Sequence, residues 1–151
     1  MECQVRPATS DDAAAISRVI IAALRESNSR DYPPDVIAQV EENFAPEAVS
    51  ALLAKRRVFV AVLQGNLIAT ASLDGHVVRS VFVAPAHQGS GTGRQLMDVI
   101  HAVAERAQIN ALRVPSSITA QGFYARLGYR KLRDEYHGSE RTVVMEKQLG
   151  D

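Results

Sequence analysis

The feature that most constrains the fold is a glycine-rich turn set between an apolar run and an amphipathic run. It reads VFVAPAHQGSGTGRQLM over residues 81–97. The apolar run, which stops at a proline, is typical of a strand, and the run after the last glycine has helical spacing. A strand that passes through such a turn into a helix predicts an α/β arrangement. The free N–H groups and the positive dipole end of the helix predict an anion site at the turn.

The composition of this turn suits a phosphate group. Gly89, Gly91 and Gly93 carry no side chains, so the backbone can approach an anion closely. Arg94 adds a full positive charge, and Gln88 adds an amide donor. The competing interpretation is a flexible loop that only reverses the chain direction.

Two common nucleotide-binding motifs do not fit the turn. A P-loop needs lysine followed by serine or threonine after its last glycine, but Arg94 and Gln95 follow Gly93. The dinucleotide fingerprint needs glycine at its sixth position, which here is Arg94 or Leu96, depending on where the motif is started. The histidines are scattered and predict no metal site, and the sequence has no nucleophile-elbow motif.

Length and composition favour one globular domain over residues 1–151. Lysine plus arginine equals aspartate plus glutamate, at 17 each, which argues against a general nucleic-acid binder. Cys3 is the lone cysteine, so no internal disulfide can form, as is usual in a reducing compartment. The sequence shows neither a signal-peptide core nor an apolar run of about 20 residues, so we expect a cytoplasmic protein without a membrane partner.

Apolar periodicity predicts an alternation of strands and helices. The predicted helices cover residues 9–27, 35–44, 46–56, 93–108 and 118–129. The predicted strands cover residues 3–8, 57–75 (two strands around a turn at Gln64-Gly65-Asn66), 76–85, 110–117, 129–136 and 141–149. Short turns join antiparallel neighbours, whereas the strand–helix–strand unit over 77–115 forces one parallel pair. The expected fold class is therefore a mixed α/β sheet, mostly antiparallel, with helices on both faces.

The glycine turn and a second segment match one known pattern. The strand of residues 81–85, which ends in Pro85, and the core QGSGTG of residues 88–93 resemble the acyl-CoA-binding signature of the GCN5-related N-acetyltransferase (GNAT) superfamily. The segment SSITAQGFYARLGYRKL of residues 116–132 is similar to the family's second region, in which a helix carries Phe-Tyr and a later glycine. The resemblance covers essentially the whole chain and implies an acetyl-CoA-dependent N-acetyltransferase.

The resemblance implies how acetyl-CoA binds. The pantetheine arm would pair with the backbone of Val81, Phe82 and Val83, and the strands of residues 77–84 and 111–115 would splay apart to admit it. Pro115 suits the end of a pairing that opens, because it cannot donate a ladder hydrogen bond. The pyrophosphate would lie on the N–H groups of the turn, contributed by Gln88, Gly89, Ser90, Gly91, Thr92, Gly93 and Arg94.

Tyr124 matches the family's general acid, which protonates the departing thiolate. Its phenol is a proton donor at neutral pH. Adjacent helix positions point about 100° apart, so Phe123 can face the core while Tyr124 faces the cleft. The alternative is that Tyr124 is a core aromatic beside Phe123. The family implies no metal, and a free backbone N–H on the splayed strand would stabilise the oxyanion.

The general base and the role of Ser117 stay open. Asp74 and His76, near the start of the strand of residues 76–85, are the candidate bases, and an ordered water chain without a dedicated base is an equal alternative. Ser117 is expected either to contact CoA or, together with Thr119, to cap the following helix. The asparagine that many family members carry in this region is absent.

The acceptor is expected to be a primary amine of a small molecule or of a protein. The resemblance implies an acceptor site built from residues 24–45 and 133–142, both rich in mixed charges. The low aromatic content, at 5% without tryptophan, makes a large stacked acceptor less suitable. A homodimer is compatible with the family. The alternative function is a non-catalytic acyl-CoA-binding regulatory module.

Overall fold

The structure is a computed structural model that describes residues 3–150. Its helices are α1 (Ala13–Glu26), α2 (Pro34–Glu42), α3 (Pro46–Lys55), α4 (Thr92–Arg106) and α5 (Gln121–Arg126). Its strands are β1 (Gln4–Pro7), β2 (Arg57–Leu63), β3 (Asn66–Asp74), β4 (Val77–Val83), β5 (Ala111–Ser117), β6 (Arg130–His137) and β7 (Glu140–Gln148). Short 3₁₀ turns cover Ser10–Asp12, Asn28–Arg30 and Pro85–His87.

The strands form one seven-stranded sheet in the order β1-β2-β3-β4-β5-β7-β6. Every neighbouring pair is antiparallel except β4 and β5, which are parallel. Helix α4 connects these two strands, as the crossover rule requires. The predicted fold class, a mixed and mostly antiparallel sheet with one parallel pair, is confirmed.

Apolar clusters cover both faces of the sheet. Leu96, Met97 and Ile100 of α4 are fully buried in the cluster on one face. Ile16 and Ile20 of α1 belong to the cluster on the opposite face. These residues lie at helical spacing, which is the pattern that predicted the two helices. The sheet is therefore fixed between α4 on one side and α1 with its neighbouring helices on the other.

A polar cluster fixes the start of α1. The carboxylate of Asp12 accepts hydrogen bonds from Arg6 Nη1 at 2.8 Å and Nη2 at 3.0 Å, and from the backbone N–H of Thr9 at 2.7 Å. The hydrogen bonds from Arg6, which outweigh the opposing effect of burial, hold the pKa of Asp12 below its ordinary value. The predicted helix over 9–27 thus begins as a 3₁₀ turn and becomes α-helical at Ala13.

Strands β4 and β5 diverge almost as soon as they meet. They share the single residue pair Val77–Arg113, beside which the N–H of Arg113 donates to the carbonyl of His76 at 3.0 Å. By contrast, β5 pairs with β7 along its whole length. The predicted splay is therefore present, and it leaves the β5-facing edge of β4 without a strand partner beyond Val77.

The structure corrects one predicted element. The helix expected over 118–129 is shorter, because residues 118–120 form a turn and α5 begins only at Gln121. The N–H of Ala120 donates to Ser117 Oγ at 3.1 Å and to the carbonyl of Ser117 at 3.2 Å, which closes a turn in place of a helix start. Within the described residues, no helix combines the length and apolar character needed to cross a bilayer.

Candidate active site

A large open cleft occupies the gap between β4 and β5. Its volume is about 1060 Å³. Residues of β4, β5, the glycine turn (residues 88–94), α5 and the segment between α1 and α2 line it. Parts of both regions expected to hold the acceptor also border the cleft, among them Asn43 and Glu140. The splay of the sheet therefore brings the predicted regions together around one space.

The glycine turn presents a row of free backbone donors. Gly89 and Gly91 have φ angles of +78° and +89°, and Gly91 is the N-cap of α4. Among the described residues, no backbone carbonyl accepts from the N–H groups of residues 89–94, and the next N–H, of Gln95, closes the first α4 bond to Gly91. Consecutive unpaired N–H groups at a helix start form an anion-binding concavity.

The three glycines of the turn differ in their surroundings. A Cβ placed on Gly89 or Gly91 would meet nothing within 4 Å, so these two positions need glycine for their positive φ and leave open space around the backbone. A Cβ on Gly93 would lie 3.2 Å from the ring of Phe123. Gly93 therefore permits close packing of α4 against α5, which is a role the sequence did not distinguish from phosphate contact.

The polar side chains of the turn are held within the protein. Gln88 Nε2 donates to the carbonyl of Val83 at 3.1 Å and to Ser27 Oγ at 3.0 Å. Ser90 Oγ donates to the carbonyl of His87 at 2.5 Å and lies 3.0 Å from Thr92 Oγ1. The predicted donors Gln88, Ser90 and Thr92 thus shape the turn through their side chains. The exposed Arg94 borders the cleft, and its guanidinium is in no ion pair within residues 3–150.

The predicted pantetheine-binding residues lie on the open part of β4. Phe82 packs edge-on against Phe44, with ring centroids 5.8 Å apart, on the α1 face of the sheet. Val81 and Val83 pack against the cluster on the α4 face. Just before them, the pairing of β3 with β4 is irregular, and Ser80 has a φ of +55°. This bulge turns the strand where it leaves β5.

Tyr124 is buried yet borders the cleft. Its side chain is only 3% exposed, and its ring packs edge-on against Phe123 and Tyr129, with centroids 5.1 and 5.5 Å away. No other residue within 3–150 hydrogen-bonds to its hydroxyl. Burial, aided by Tyr129, raises the pKa of Tyr124 well above its ordinary value of 10.0. The core-aromatic interpretation and a position at the cleft are therefore compatible.

The segment between α1 and α2 spans the cleft as a strap (residues 27–33). At one end, Ser27 bonds to Gln88 of the glycine turn. At the other end, Thr119 Oγ1 donates to Asp31 Oδ2 at 2.7 Å. The hydroxyl of Tyr32 accepts from the N–H of Ile118 at 2.8 Å and donates to the carbonyl of Arg141 at 2.5 Å. Tyr32, a possible acceptor contact by sequence, thus joins the strap to the β5 side.

Ser117 caps the turn before α5 and also borders the cleft. Its hydroxyl oxygen accepts from the N–H of Ala120 and so closes the turn, whereas the sequence had offered Ser117 as a cap of the helix itself. The partner of Thr119, by contrast, is Asp31 of the strap. The Ser117 hydroxyl proton is not used in this contact, so the cap leaves a donor at the cleft wall.

Neither candidate base lies at the cleft. Asp74 ends β3 and His76 lies in the turn before β4; both are exposed at the closed end of the β4–β5 pair, and neither borders the cleft. Asp74 Oδ2 lies 3.4 Å from Arg79 Nε. The carboxylates that border the cleft are Glu42, which the sequence did not single out, and Glu140, one of the late-hairpin residues that the sequence offered as an acceptor contact. Within residues 3–150, no three His, Cys, Asp or Glu side chains form a metal-binding group.

Two arginines missed from the sequence border the other end of the cleft. Arg56 follows α3, and Arg79 precedes the bulge at Ser80. Arg56 Nη1 donates to Ser80 Oγ at 3.2 Å. No local motif links residues 56 and 79. Only the folded sheet brings them together.

Comparison with known proteins connects this geometry to a family. A family model described as an acetyltransferase (GNAT) domain matches residues 28–149. The chain is 27% identical over 136 residues to the uncharacterized N-acetyltransferase YafP of Escherichia coli (strain K12), covering 87% of this chain and 84% of that protein.

Two crystal structures share the fold. A GCN5-related N-acetyltransferase from Rhodopseudomonas palustris superimposes with a TM-score of 0.93 at 24% identity, covering 99% of this chain and 97% of the other. The PaiA N-acetyltransferase of Thermoplasma acidophilum, solved in complex with coenzyme A, gives a TM-score of 0.83 at 15% identity, covering 98% and 99% of the two chains.

Proposed function

The chain belongs to the GNAT acetyltransferase family, and we propose that it transfers an acetyl group from acetyl-CoA to a primary amine. The observation that carries the proposal is the run of unpaired N–H groups over residues 89–94 at the mouth of a split sheet. A pyrophosphate needs several converging donors, and this turn supplies them from backbone alone. The coenzyme A found in the PaiA structure supports the same ligand class.

The residues at the cleft fit an acyl-CoA ligand. The N–H groups of the glycine turn, with Arg94, would hold the pyrophosphate. The free edge of β4 at Val81–Val83 would pair with the amides of the pantetheine arm as a neighbouring strand does. The Ser117 hydroxyl would donate to the arm from the opposite wall. Val83 contributes mainly its N–H, because its carbonyl already accepts from Gln88.

In this proposal Tyr124 is the general acid. Because the pKa of Tyr124 is raised, its phenol is protonated at neutral pH and can donate a hydrogen bond or a proton. A departing CoA thiolate is stabilised by a proton or a hydrogen bond from such a group. A backbone N–H beside the bulge of β4 would stabilise the oxyanion of the tetrahedral adduct.

The amine must be neutral to attack the thioester. Because neither Asp74 nor His76 borders the cleft, we assign the base role to neither of them. The attacking amine would lose its proton to water in the open cleft. The rate should then follow the fraction of amine that is unprotonated in solution.

The alternative, a non-catalytic acyl-CoA-binding module, makes a different prediction. Such a module needs the glycine turn but has no use for a free phenol at the cleft. The Tyr124 hydroxyl, which is unpaired within the described residues, favours the enzyme. Thiol release in the presence of amines would decide between the two functions.

The first experiment is calorimetric titration of the protein with acetyl-CoA, with NADH and ATP as controls. We expect selective binding of acetyl-CoA, and Gly91→Leu should weaken it because the side chain would occupy the open space over the turn. Gly75→Leu is the matched control, since Gly75 also has a positive φ and open surroundings but lies away from the cleft. Equal affinity of Gly91→Leu and the control would contradict the assignment of the turn.

A further inference from the structure

Two cations border the cleft at the end of β4 opposite the glycine turn. Arg56 is the C-cap of α3, and Arg79 lies on β4 directly before the bulge. Both are only partly exposed, and both border the cleft with Ser80. They interact electrostatically: the proximity of Arg79, together with the larger effect of burial, lowers the pKa of Arg56. The pair thus places two positive charges at one end of the cleft.

The two guanidinium groups are incompletely partnered. None of the ion pairs formed within residues 3–150 includes Arg56, whose hydrogen bond goes to the neutral hydroxyl of Ser80. Arg79 forms an ion pair with the exposed Asp74, at 3.4 Å from Arg79 Nε to Asp74 Oδ2, but this buried Nε has no hydrogen-bond acceptor. A partly buried guanidinium without an anionic partner, as at Arg56, is costly, so such a site favours an anion from outside the chain.

We propose that the acceptor amine carries an oxyanion, a carboxylate or a phosphate, which Arg56 and Arg79 bind. This inference rests on the proposed acetyltransferase function and names its substrate class. Guanidinium forks match the two oxygens of either group, and desolvation at the cleft wall strengthens the contact. The free N–H donors of the glycine turn are at the opposite end of β4 and are assigned to the pyrophosphate, so the arginine pair remains available to the acceptor.

The geometry also limits the size of the acceptor. One residue, Ser80, separates Arg79 from Val81, where the free edge of β4 assigned to the acyl-CoA arm begins. Residues two apart on a strand are about 6–7 Å apart. An amine that reaches the thioester while its oxyanion rests on the arginines is therefore a compact molecule. Small amino acids and aminoalkyl phosphates have this form.

The test measures thiol release from acetyl-CoA with matched pairs of amines. Each pair contains an anionic amine and its uncharged counterpart: L-amino acids with their carboxamides, and phosphoethanolamine with ethanolamine. We expect kcat/KM to be at least about tenfold higher for the anionic member, as is usual for hydrogen bonds to a charged group. A preference for the amino acids over their carboxamides would indicate that the site binds a carboxylate. A preference for phosphoethanolamine over ethanolamine would indicate that it binds a phosphate.

Variants then assign the preference to the two arginines. Arg56→Gln and Arg79→Gln should each raise KM for the anionic amine about tenfold or more, with little change in kcat or in acetyl-CoA affinity. KM for the uncharged counterpart should not rise. Arg56→Lys should recover part of the loss, because it keeps the charge but not the fork. The control is Arg57→Gln, an exposed neighbour that does not border the cleft and should leave every parameter unchanged.

Each remaining outcome overturns a distinct claim. The inference is overturned if the wild-type protein uses both members of every pair equally. It is also overturned if the arginine variants raise KM equally for both members, which would show that the arginines are structural. In either case the proposed acetyltransferase function remains. If the protein binds acetyl-CoA but none of the amines supports thiol release, the proposed function itself is overturned. If the variants do not fold, inorganic sulfate serves as the probe with the wild-type protein: at saturating acetyl-CoA it must compete with the anionic amine, and failure to compete overturns the inference.

Discussion

At the scale of single residues, the three glycines of the glycine turn have different structural roles. Gly89 and Gly91 adopt a backbone conformation that other residues rarely take, and they leave open space. Gly93 has an ordinary φ and is instead pressed against Phe123 and Val83. The sequence predicted that all three would serve an anion. It did not predict the packing role of Gly93, because that depends on α5, which is distant in the chain.

Gly93→Ala should therefore destabilise the fold. The added methyl would lie 3.2 Å from the Phe123 ring, so α4 or the ring must shift, and overpacking of this kind typically costs about 1–3 kcal/mol. Urea unfolding would measure the loss in free energy of unfolding, provided that the m-value is the same for wild type and variant. Phe123→Leu in the same chain should restore part of it, because it removes the ring. If the two substitutions are simply additive, the contact is not the cause.

Tyr124→Phe should lower kcat without lowering stability. General acid catalysis is worth about 10²–10⁴-fold in rate, whereas the hydroxyl makes no hydrogen bond within the described residues that folding would lose. Tyr129→Phe is the matched control, because its hydroxyl lies 2.9 Å from His101 Nε2 and its loss should cost stability instead. A Tyr124→Phe enzyme with unchanged kcat would assign thiolate protonation to water.

The pH–rate profile is a second readout of Tyr124. Because the pKa of Tyr124 is raised, the phenol stays protonated, and kcat/KM should rise with pH as the amine loses its proton. No descending limb from this residue is expected up to about pH 10, the ordinary value for tyrosine. A fall between about pH 8 and 9 that disappears in Tyr124→Phe would contradict the raised pKa.

At the scale of elements, the start of α1 is the clearest electrostatic unit. Asp12→Asn removes the charged acceptor of Arg6 and Thr9 and should cost about 1 kcal/mol at neutral pH, the usual worth of a helix cap. The folded pKa of Asp12 is lowered, so its contribution is present above the unfolded value of about 4 and disappears as pH falls through the folded value. Unfolding measured at pH 7 and at pH 2.5 should show a smaller stability difference between wild type and variant at the lower pH.

Elements with strong periodicity were predicted well, and those fixed by tertiary contacts were not. The spacing of apolar residues in α4 and in the central strands left few alternative assignments of secondary structure. The start of α5 was wrong because residues 118–120 close a turn through Ser117 and bond to the strap through Ile118 and Thr119. The bulge at Ser80 was equally invisible, since a serine with positive φ carries no local signal. The cleft position of Tyr124 was predictable from helix geometry, but the arginine pair was not.

At the scale of the whole molecule, the split in the sheet links ligand binding to stability. A ligand that binds only the folded state at 100 times its Kd adds about 2.7 kcal/mol. For a chain of this size each kcal/mol raises Tm by about 2–4 °C, so saturating acetyl-CoA should raise Tm by roughly 5–10 °C. NADH at the same concentration should leave Tm unchanged. A shift with both ligands would indicate nonspecific binding of anions.

The order of the elements along the chain has a consequence for how the molecule is made. Residues 4–83 complete β1 to β4 as one contiguous half of the sheet, and β5, β7 and β6 form the other half from residues 111–148. Helix α4 is the link between the halves. During synthesis, strands β1 to β4 are made first. Each of them then has its neighbouring strands present, except that β4 still lacks β5. Because the cleft lies between β4 and β5, the site cannot form from the first half alone and must wait until the second half is made.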